Sequence, residues 1–224
     1  MNFDIRRSLQ SELKVVGLTE LDAVGWSVEE LLRHIRDLDR SLYTNSGNAA
    51  IGNADQWLPI FMNNPETWRA VISSCGELAA YWQTAAVNDD LYFSLKSGLS
   101  NEEMLTASSY RPLTSPGTFN LYVVSICINP VYRKAETSMA VIDSFFCVLD
   151  DLSRKDIFFN EITGSACSED GAQICRTFRL EYLRDNTIGK IYSGYVGNMI
   201  RRFKGPLSAR YPDLYRNYSS AELC

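Results

Sequence analysis

The sequence predicts an α+β fold in which helices flank a mixed central sheet. Three observations carry this prediction. A largely apolar strand, Phe119 to Ile128, is followed at once by an amphipathic helix over residues 134–152. A second amphipathic helix begins after Ser27, which is suited to cap it. Pairs of short strand-like segments precede and follow these central elements, and they predict hairpins that extend the sheet.

Composition and charge bound the class of protein. The chain has 224 residues, of which 46% are apolar and 22% charged, so we expect a single domain over residues 1–224 with a substantial core. The net charge of −5 argues against a general affinity for nucleic acid. No run of about 18 apolar residues occurs, and the N-terminus lacks the apolar core of a signal peptide. We therefore expect a cytoplasmic protein with no membrane segment.

Metal centres and hydrolytic triads are not predicted. The six cysteines are scattered without a CxxC pair, which favours reduced thiols over a zinc site or a disulfide framework. The only histidine, His34, lies in a helical pattern and cannot form a multi-histidine metal site alone. We expect it on a helix surface. A serine hydrolase is not indicated, because the chain contains no GxSxG sequence.

The N-terminal part is predicted to hold one short strand and one regular helix. Phe3 to Leu9 alternates weakly and predicts a peripheral strand. Ser27 and the glutamate three residues later form a capping box, and apolar residues then recur every three or four positions. Thr44 to Asp55 is small and polar, so we expect either a mobile, substrate-contacting loop or a plain connector. Trp57 to Met62 is predicted to be a short helical turn that Pro59 breaks.

Hairpin and cap patterns dominate the next segment. Trp68 to Cys75 and Glu77 to Val87 are strand-like runs joined by a glycine-bearing turn, which predicts a hairpin. Leu91 to Leu95 is expected to extend or follow it. Ser100 precedes a short polar-apolar pattern with a glutamate three residues on, so we expect it to cap a brief helix.

The helix after the central strand is the organising element of the chain. Asn129 and Pro130 end the strand, and the period of the apolar residues then changes to that of a helix. Its expected buried stripe consists of Met139, Ile142, Phe145, Phe146, Leu149 and Leu152. Asp143, Asp150 and Asp151 are expected on the opposite side. A strand, a short polar loop and a helix together place free backbone N–H groups at the start of the helix, which suits a phosphate.

The remaining elements continue the mixed pattern. Asp156 to Thr163 is predicted to be an interior strand, and Ser168 to Phe178 a helix with its own cap. Arg179 to Arg184 and Ile188 to Ser193 predict a final hairpin. The tail has a basic helical piece around Arg201, followed by prolines and tyrosines. This basic cluster is expected to be a solvated helix face, or else to contact an anionic partner or another subunit, so a homodimer stays open.

The order of elements, and the stretch from Val124 to Ser144 in particular, resembles the GNAT superfamily of N-acetyltransferases over most of residues 1–195. In that family the central strand leads through a proline and an aromatic-arginine pair into an Arg/Gln-x-x-Gly-x-Gly/Ala loop, whose amides hold the pyrophosphate of acetyl-CoA. Asn129 to Arg133 is similar to the start of that loop. Glu136 and Ser138 occupy the two glycine positions.

The resemblance implies an acyl-CoA-dependent N-acyltransferase, with acetyl-CoA as co-substrate and an amine of unknown identity as acceptor. The thioester carbonyl would be held by a backbone amide of the central strand, and the pyrophosphate by the loop and the first helical turn. The implied acetyl-CoA contacts are Ile126, Cys127, Ile128, Arg133, Lys134, Ala135, Glu136, Thr137, Ser138, Met139 and Ser168.

Two residues are candidates for proton transfer. Aligning Arg179 and Leu180 with the family's Gly-Phe turn puts Cys175 at the position of the tyrosine that acts as general acid towards the CoA thiolate, and Ser168 near the family's asparagine. Glu161, on the strand after the central helix, is the candidate general base. The alternatives are structural: core filling for Cys175 and a solvent-facing strand position for Glu161.

The loop also supports a second hypothesis. A glutamate at a glycine position adds bulk and like charge near a pyrophosphate, unless its side chain points outward. Glu136 therefore favours a degenerate GNAT-like protein that lacks acetyltransferase activity and binds another ligand or a protein partner. A third hypothesis, a synthase of the acyl-homoserine-lactone type on the same scaffold, has no motif of its own in this sequence.

Overall fold

A computed structural model describes residues 13–42, 54–203 and 205–220. Its strands are β1 (Lys14–Val16), β2 (Trp68–Ile72), β3 (Leu78–Ala86), β4 (Gly117–Ile128), β5 (Ile157–Ala166), β6 (Glu181–Asp185) and β7 (Lys190–Tyr195). They form one sheet in the order β1-β2-β3-β4-β5-β7-β6. Only the β4–β5 pair is parallel among these neighbours; the others are antiparallel. The predicted α+β class with a mixed central sheet is confirmed.

Helices cover both faces of the sheet. They are α1 (Val28–Leu42), α2 (Ala54–Asn63), α3 (Asp89–Lys96), α4 (Ala135–Ser153), α5 (Glu169–Thr177), α6 (Val196–Arg202), α7 (Pro206–Arg210) and α8 (Pro212–Ser220). The core on one face contains residues of α1, α2 and α3, and the core on the other contains residues of α4, α6, α7 and α8. Neighbouring residues of β3 alternate between them, because Tyr81 belongs to the first core and Trp82 to the second.

The start of α1 follows the predicted capping box. The Ser27 amide donates to the Glu30 carboxylate at 2.8 Å, and the Glu30 amide donates to the Ser27 hydroxyl at 3.2 Å. The apolar stripe of the helix is buried, as the period predicts. His34 is half-buried and stacks on Trp26, with ring centroids 4.2 Å apart.

Two local predictions are corrected by the structure, and the alternatives for residues 91–95, which were to extend or to follow the hairpin, are decided in favour of the second. α2 continues through Pro59, because burial of Ile60 and Phe61 outweighs one lost backbone hydrogen bond. Residues 91–95 belong to the helix α3 and extend no strand, since the side chain of Asn88 accepts a hydrogen bond from the Leu91 amide and caps it. Asn101 takes the place predicted for Ser100 and caps a single 3₁₀ turn, Glu102–Met104. The predicted strand at residues 3–9 and residues 44–53 of the polar loop lie outside the described residues.

The central helix α4 is buried on more than one side. Met139, predicted on the buried stripe, is 47% exposed, whereas Asp150, predicted on the solvent side, is 3% exposed. Asp150 is buried because α8 packs along α4 and the Leu214 amide donates to its carboxylate at 3.0 Å. The helices α7 and α8 were not predicted, because prolines and tyrosines in the tail obscure their short periods.

The hydroxyl of Tyr218 ties α8 to the sheet, and we expect Tyr218→Phe to lower the free energy of unfolding by about 1–2 kcal/mol, because a buried donor loses its acceptor. The Phe159 amide of β5 donates to this hydroxyl at 2.8 Å. Tyr215→Phe is the matched control, because the Tyr215 hydroxyl has no hydrogen-bond partner among the described residues. Urea denaturation of both variants measures the difference. Equal stability of the two would contradict the proposed role of this hydrogen bond.

Candidate functional site

The two parallel strands at the centre of the sheet separate along their length. β4 and β5 pair from Gly117–Ile157 to Val123–Gly164, and their described pairing ends there. Beyond that point β4 stays paired with β3 as far as Ile128, while β5 stays paired with β7 as far as Ala166. The strands therefore form a fork. The backbone edge of β4 beyond Val123 faces an opening, so its polar groups are available to a ligand.

A cleft of about 1050 Å³ lies at this fork and is lined from both faces of the sheet. Its first part, termed the α4 half, is lined by the start of α4, by the preceding residues Arg133 and Lys134, and by α5. Its second part, termed the α1 half, is lined by α1, α2 and residues 101–103. The β4 residues 123–128 lie between the two halves. Both halves thus border the free edge of β4.

The start of α4 offers free backbone donors to the cleft. Lys134 is in an extended conformation, and the first backbone hydrogen bond of the helix runs from the Ser138 amide to the Lys134 carbonyl at 3.2 Å. The amides of residues 135–137 precede that bond and need other acceptors. Arg133, Lys134, Ala135 and Ser138 line the cleft. This half therefore combines helix-terminal amides with two cationic side chains, which suits a phosphate group.

Three of the predicted acetyl-CoA contacts do not line the cleft. Glu136 and Met139 are exposed, and Thr137 is buried on another side of α4. A helix turns about 100° per residue, so neighbouring residues of its first turn point in different directions. Glu136 is therefore exposed and outside the lining of the cleft, which favours the outward-pointing alternative for its carboxylate. Ile126, Cys127, Ile128 and Ser168 do line it.

A salt bridge connects the two walls of the α4 half. Arg133 Nη1 lies 3.0 Å from Asp170 Oδ2, and both side chains are largely exposed. Asp170 belongs to α5, whose first turn is capped by the Ser168 hydroxyl, the acceptor for the Gly171 amide at 3.1 Å. An anionic ligand at this place would compete with Asp170 for Arg133, because a guanidinium binds phosphate as readily as carboxylate.

The α1 half contains a carboxylate that touches β4. The Tyr81 hydroxyl lies 2.7 and 2.9 Å from the two oxygens of Asp39 and donates to that carboxylate. The Cys127 thiol of β4 donates to Asp39 Oδ1 at 3.5 Å. Burial raises the pKa of Asp39 to about 6, although these hydrogen bonds oppose the shift. Asp39 can therefore take up a proton near neutral pH, next to the free edge of β4.

A second carboxylate of the α1 half belongs to the short turn before β4. Glu102 Oε1 accepts a hydrogen bond from the Tyr122 hydroxyl at 3.0 Å. Burial, with a smaller contribution from the charge of Asp39, raises the pKa of Glu102 to about 7, although the hydrogen bond from Tyr122 opposes the shift. Two acids with raised pKa values in one cleft are typical of sites that move protons.

Comparison with solved structures identifies the fold. An acetyltransferase of the GNAT family from Staphylococcus aureus superposes with a TM-score of 0.51, at 8% sequence identity, over 82% of this chain and 99% of its own. The chain has the GNAT fold. An acetyltransferase of the GNAT family from Listeria monocytogenes (TM-score 0.47, 12% identity, 82% of this chain and 93% of its own) is also similar. Naa50 from Arabidopsis thaliana in complex with a bisubstrate analogue is similar as well (TM-score 0.49, 12% identity, 81% of this chain and 97% of its own). No family model matches the sequence, and neither does any curated protein.

Within this GNAT fold the predicted base Glu161 lies outside the cleft. Its carboxylate lies 2.6 Å from Lys96 Nζ and accepts from the Tyr92 hydroxyl at 3.0 Å. Glu161 lies in the part of β5 that runs beside β4, before their pairing ends, whereas Ile162 and Gly164 line the cleft. The structure therefore gives Glu161 an ion pair with α3 and no access to the fork.

Cys175 does line the α4 half, so the structure brings it to the cleft together with Ser168. Burial raises the pKa of its thiol to about 11, which keeps the thiol protonated at neutral pH. None of the five described cysteines is in a disulfide. In the part of the chain that the structure describes, no group of three His, Cys, Asp or Glu side chains is arranged to hold a metal, and no helix is long and apolar enough to cross a membrane.

Sequence reasoning missed Asp39 and Glu102. Asp39 carried a signal, because it stands four residues after Ile35 and three before Leu42, on the apolar stripe of α1. A carboxylate on a buried stripe is costly unless it has partners, so its position pointed to a site. Glu102 carried none, because its burial depends on Tyr122 and on α2, which are distant in sequence.

Proposed function

We propose that this protein is an acyl-CoA-dependent N-acyltransferase that transfers an acetyl group from acetyl-CoA to an amine. The fork between β4 and β5 carries the proposal. It joins a helix start with free amides, in the α4 half, to two carboxylates with raised pKa values, in the α1 half. A thioester in one half and an amine in the other would meet at the free edge of β4.

The α4 half supplies the contacts for the co-substrate. The amide of Ala135 and the cationic side chains of Arg133 and Lys134, all three of which line the cleft, would bind the pyrophosphate of acetyl-CoA. The pantetheine would follow the opening towards β4. A backbone amide of residues 126–128 would donate to the thioester oxygen, where negative charge develops during attack.

The α1 half supplies the base. A protonated amine first loses one proton to solvent, and its nitrogen then attacks the thioester carbonyl carbon. The new C–N bond forms, a second proton passes from nitrogen to Asp39, and the C–S bond breaks. The departing CoA thiolate takes a proton from the Cys175 thiol, which solvent restores, and Asp39 then releases the proton that it accepted to solvent. The products are an N-acetyl amine, CoA and one released proton. Asp39 suits this step because it already contacts Cys127 at the fork.

Calorimetric titration with CoA and acetyl-CoA tests the proposal, followed by an assay of thiol release with a panel of amines. We expect binding of both nucleotides and acetylation of at least one amine. If neither CoA nor acetyl-CoA binds at millimolar concentration, the proposal is wrong. The second hypothesis, a GNAT-like protein that binds another ligand or a protein, would then replace it.

We expect Glu136→Gly to leave the affinity for CoA unchanged within about twofold, as for a typical surface substitution. The Glu136 side chain is exposed and does not line the cleft, so it adds neither bulk nor charge there. Ser138→Glu is the matched control, because Ser138 lines the cleft and a carboxylate at that position repels the pyrophosphate. Titration with CoA measures both. Markedly tighter binding by the glycine variant would mean that the Glu136 carboxylate reaches the nucleotide.

A further inference from the structure

One guanidinium of the α1 half has no partner among the residues that the structure describes. Arg36 lines the cleft and is half-buried, and its Nε is inaccessible to solvent without a hydrogen-bond acceptor. The neighbouring arginines of α1 are paired, Arg33 with Glu30 at 3.9 Å and Arg40 with Asp37 at 3.8 Å. No ion pair or hydrogen bond to another described residue engages this guanidinium, so an anion in the cleft would meet unpaired donors there.

Arg36 and Asp39 are three residues apart on α1, so they are neighbours on one face of the helix. They nevertheless form no ion pair with each other, because the Asp39 carboxylate is directed towards Tyr81 and Cys127. The cleft therefore presents an unpaired guanidinium, that of Arg36, next to the buried carboxylate of Asp39. A ligand that carries an anionic and a cationic group a few ångströms apart could pair with Arg36 through the first and with Asp39 through the second.

The wall around this pair of charges is apolar. Leu32 and Ile35 of α1 line the cleft beside them, as do Trp57 and Phe61 of α2. Buried Gln83 of β3 also lines the cleft and adds a polar side chain to this wall. The α1 half thus combines one carboxylate for an amine, donors for an anion and a hydrophobic wall.

We propose that the acceptor amine is an α-amino acid with an apolar side chain. Its amino group lies beside Asp39 and its carboxylate binds Arg36. The planar guanidinium of Arg36 can donate two parallel hydrogen bonds to that carboxylate. Its side chain packs against the aromatic and aliphatic wall. This inference rests on the proposed N-acyltransferase function, because it names the acceptor of the same transfer. An amine without a carboxylate leaves Arg36 unpaired, so it binds more weakly.

The test compares three probes that share one side chain: L-phenylalanine, L-phenylalaninamide and phenethylamine. Each is titrated into wild-type protein by calorimetry, with and without CoA, and each is assayed for acetylation. We expect L-phenylalanine to bind about 10- to 100-fold more tightly than the other two, which lack the carboxylate. Equal affinities for the three probes would overturn the inference.

Arg36→Gln should remove this preference. It lowers the affinity for L-phenylalanine to that for phenethylamine and leaves the affinity for phenethylamine unchanged. Arg40→Gln is the matched control, because Arg40 lies on the same helix, is paired with Asp37 and does not line the cleft. Arg36→Lys keeps the positive charge but loses the planar guanidinium, so it should give an intermediate affinity for L-phenylalanine. A loss of affinity that is equal for all three probes would mean that Arg36 acts on the structure alone.

The outcomes separate this inference from the proposed function. Acetylation of phenethylamine without any preference for L-phenylalanine would leave the N-acyltransferase intact and overturn the amino-acid acceptor. Failure to bind CoA would overturn the N-acyltransferase. The titrations without CoA would in that case still show whether the α1 half binds an amino acid through Arg36.

Discussion

Replacing Asp39 with asparagine is expected to lower kcat/KM for amine acetylation by roughly 10² to 10⁴, the usual contribution of a general base. Asparagine has the same size and can still accept a hydrogen bond from Tyr81, so the cleft keeps its shape. It cannot accept a proton from the attacking amine. Steady-state assays with saturating acetyl-CoA measure the effect, and thermal unfolding of the variant verifies the fold.

The pH dependence of the rate gives an independent readout of the same residue. A protonated Asp39 cannot act as a base, and its pKa is raised to about 6. The wild-type kcat/KM should therefore fall as the pH decreases through about 6, and Asp39→Asn should lack this acidic limb. Glu102→Gln is the control, because it removes the neighbouring acid and retains Asp39. A variant at Asp39 that keeps both the rate and the acidic limb would exclude it as the base.

Replacing Ala135 with proline is expected to weaken CoA binding by about 10- to 100-fold, the usual cost of losing a hydrogen bond to a charged group. Ala135 is the first residue of α4, where proline is well tolerated in helices. Lys134 before it has an extended backbone, with φ −130° and ψ 160°, which is the conformation that a following proline requires. The substitution therefore removes one N–H donor from the cleft and preserves the helix.

Ala135→Ser is the matched control for this variant, because serine changes the side chain and keeps the amide donor. Titration with CoA compares the two, and circular dichroism verifies that the helical content of both is that of the wild type. If the proline variant binds CoA as tightly as the serine variant, the amides at the start of α4 do not hold the pyrophosphate. The phosphate contacts would then have to come from Arg133 and Lys134 alone.

The sequence alone determined the elements whose patterns are local. The strand β4, the turn at Asn129, the helix α4 and the capping box at Ser27 all follow from residues within one or two turns of each other. The order of strands and helices then sufficed for the α+β class and for the likeness to the GNAT fold. Patterns with a short period are reliable because neighbouring residues decide them.

Only the tertiary structure decided the site. The fork exists because β4 stays with β3 while β5 stays with β7, a choice among partners that no local pattern records. Asp39 meets Cys127 across 88 positions of sequence, and burial in that contact sets its pKa. The contact with Lys96 holds Glu161 outside the cleft, and the docking of α8 buried Asp150. Contacts between distant residues set burial, and burial sets which charged groups can take part in chemistry.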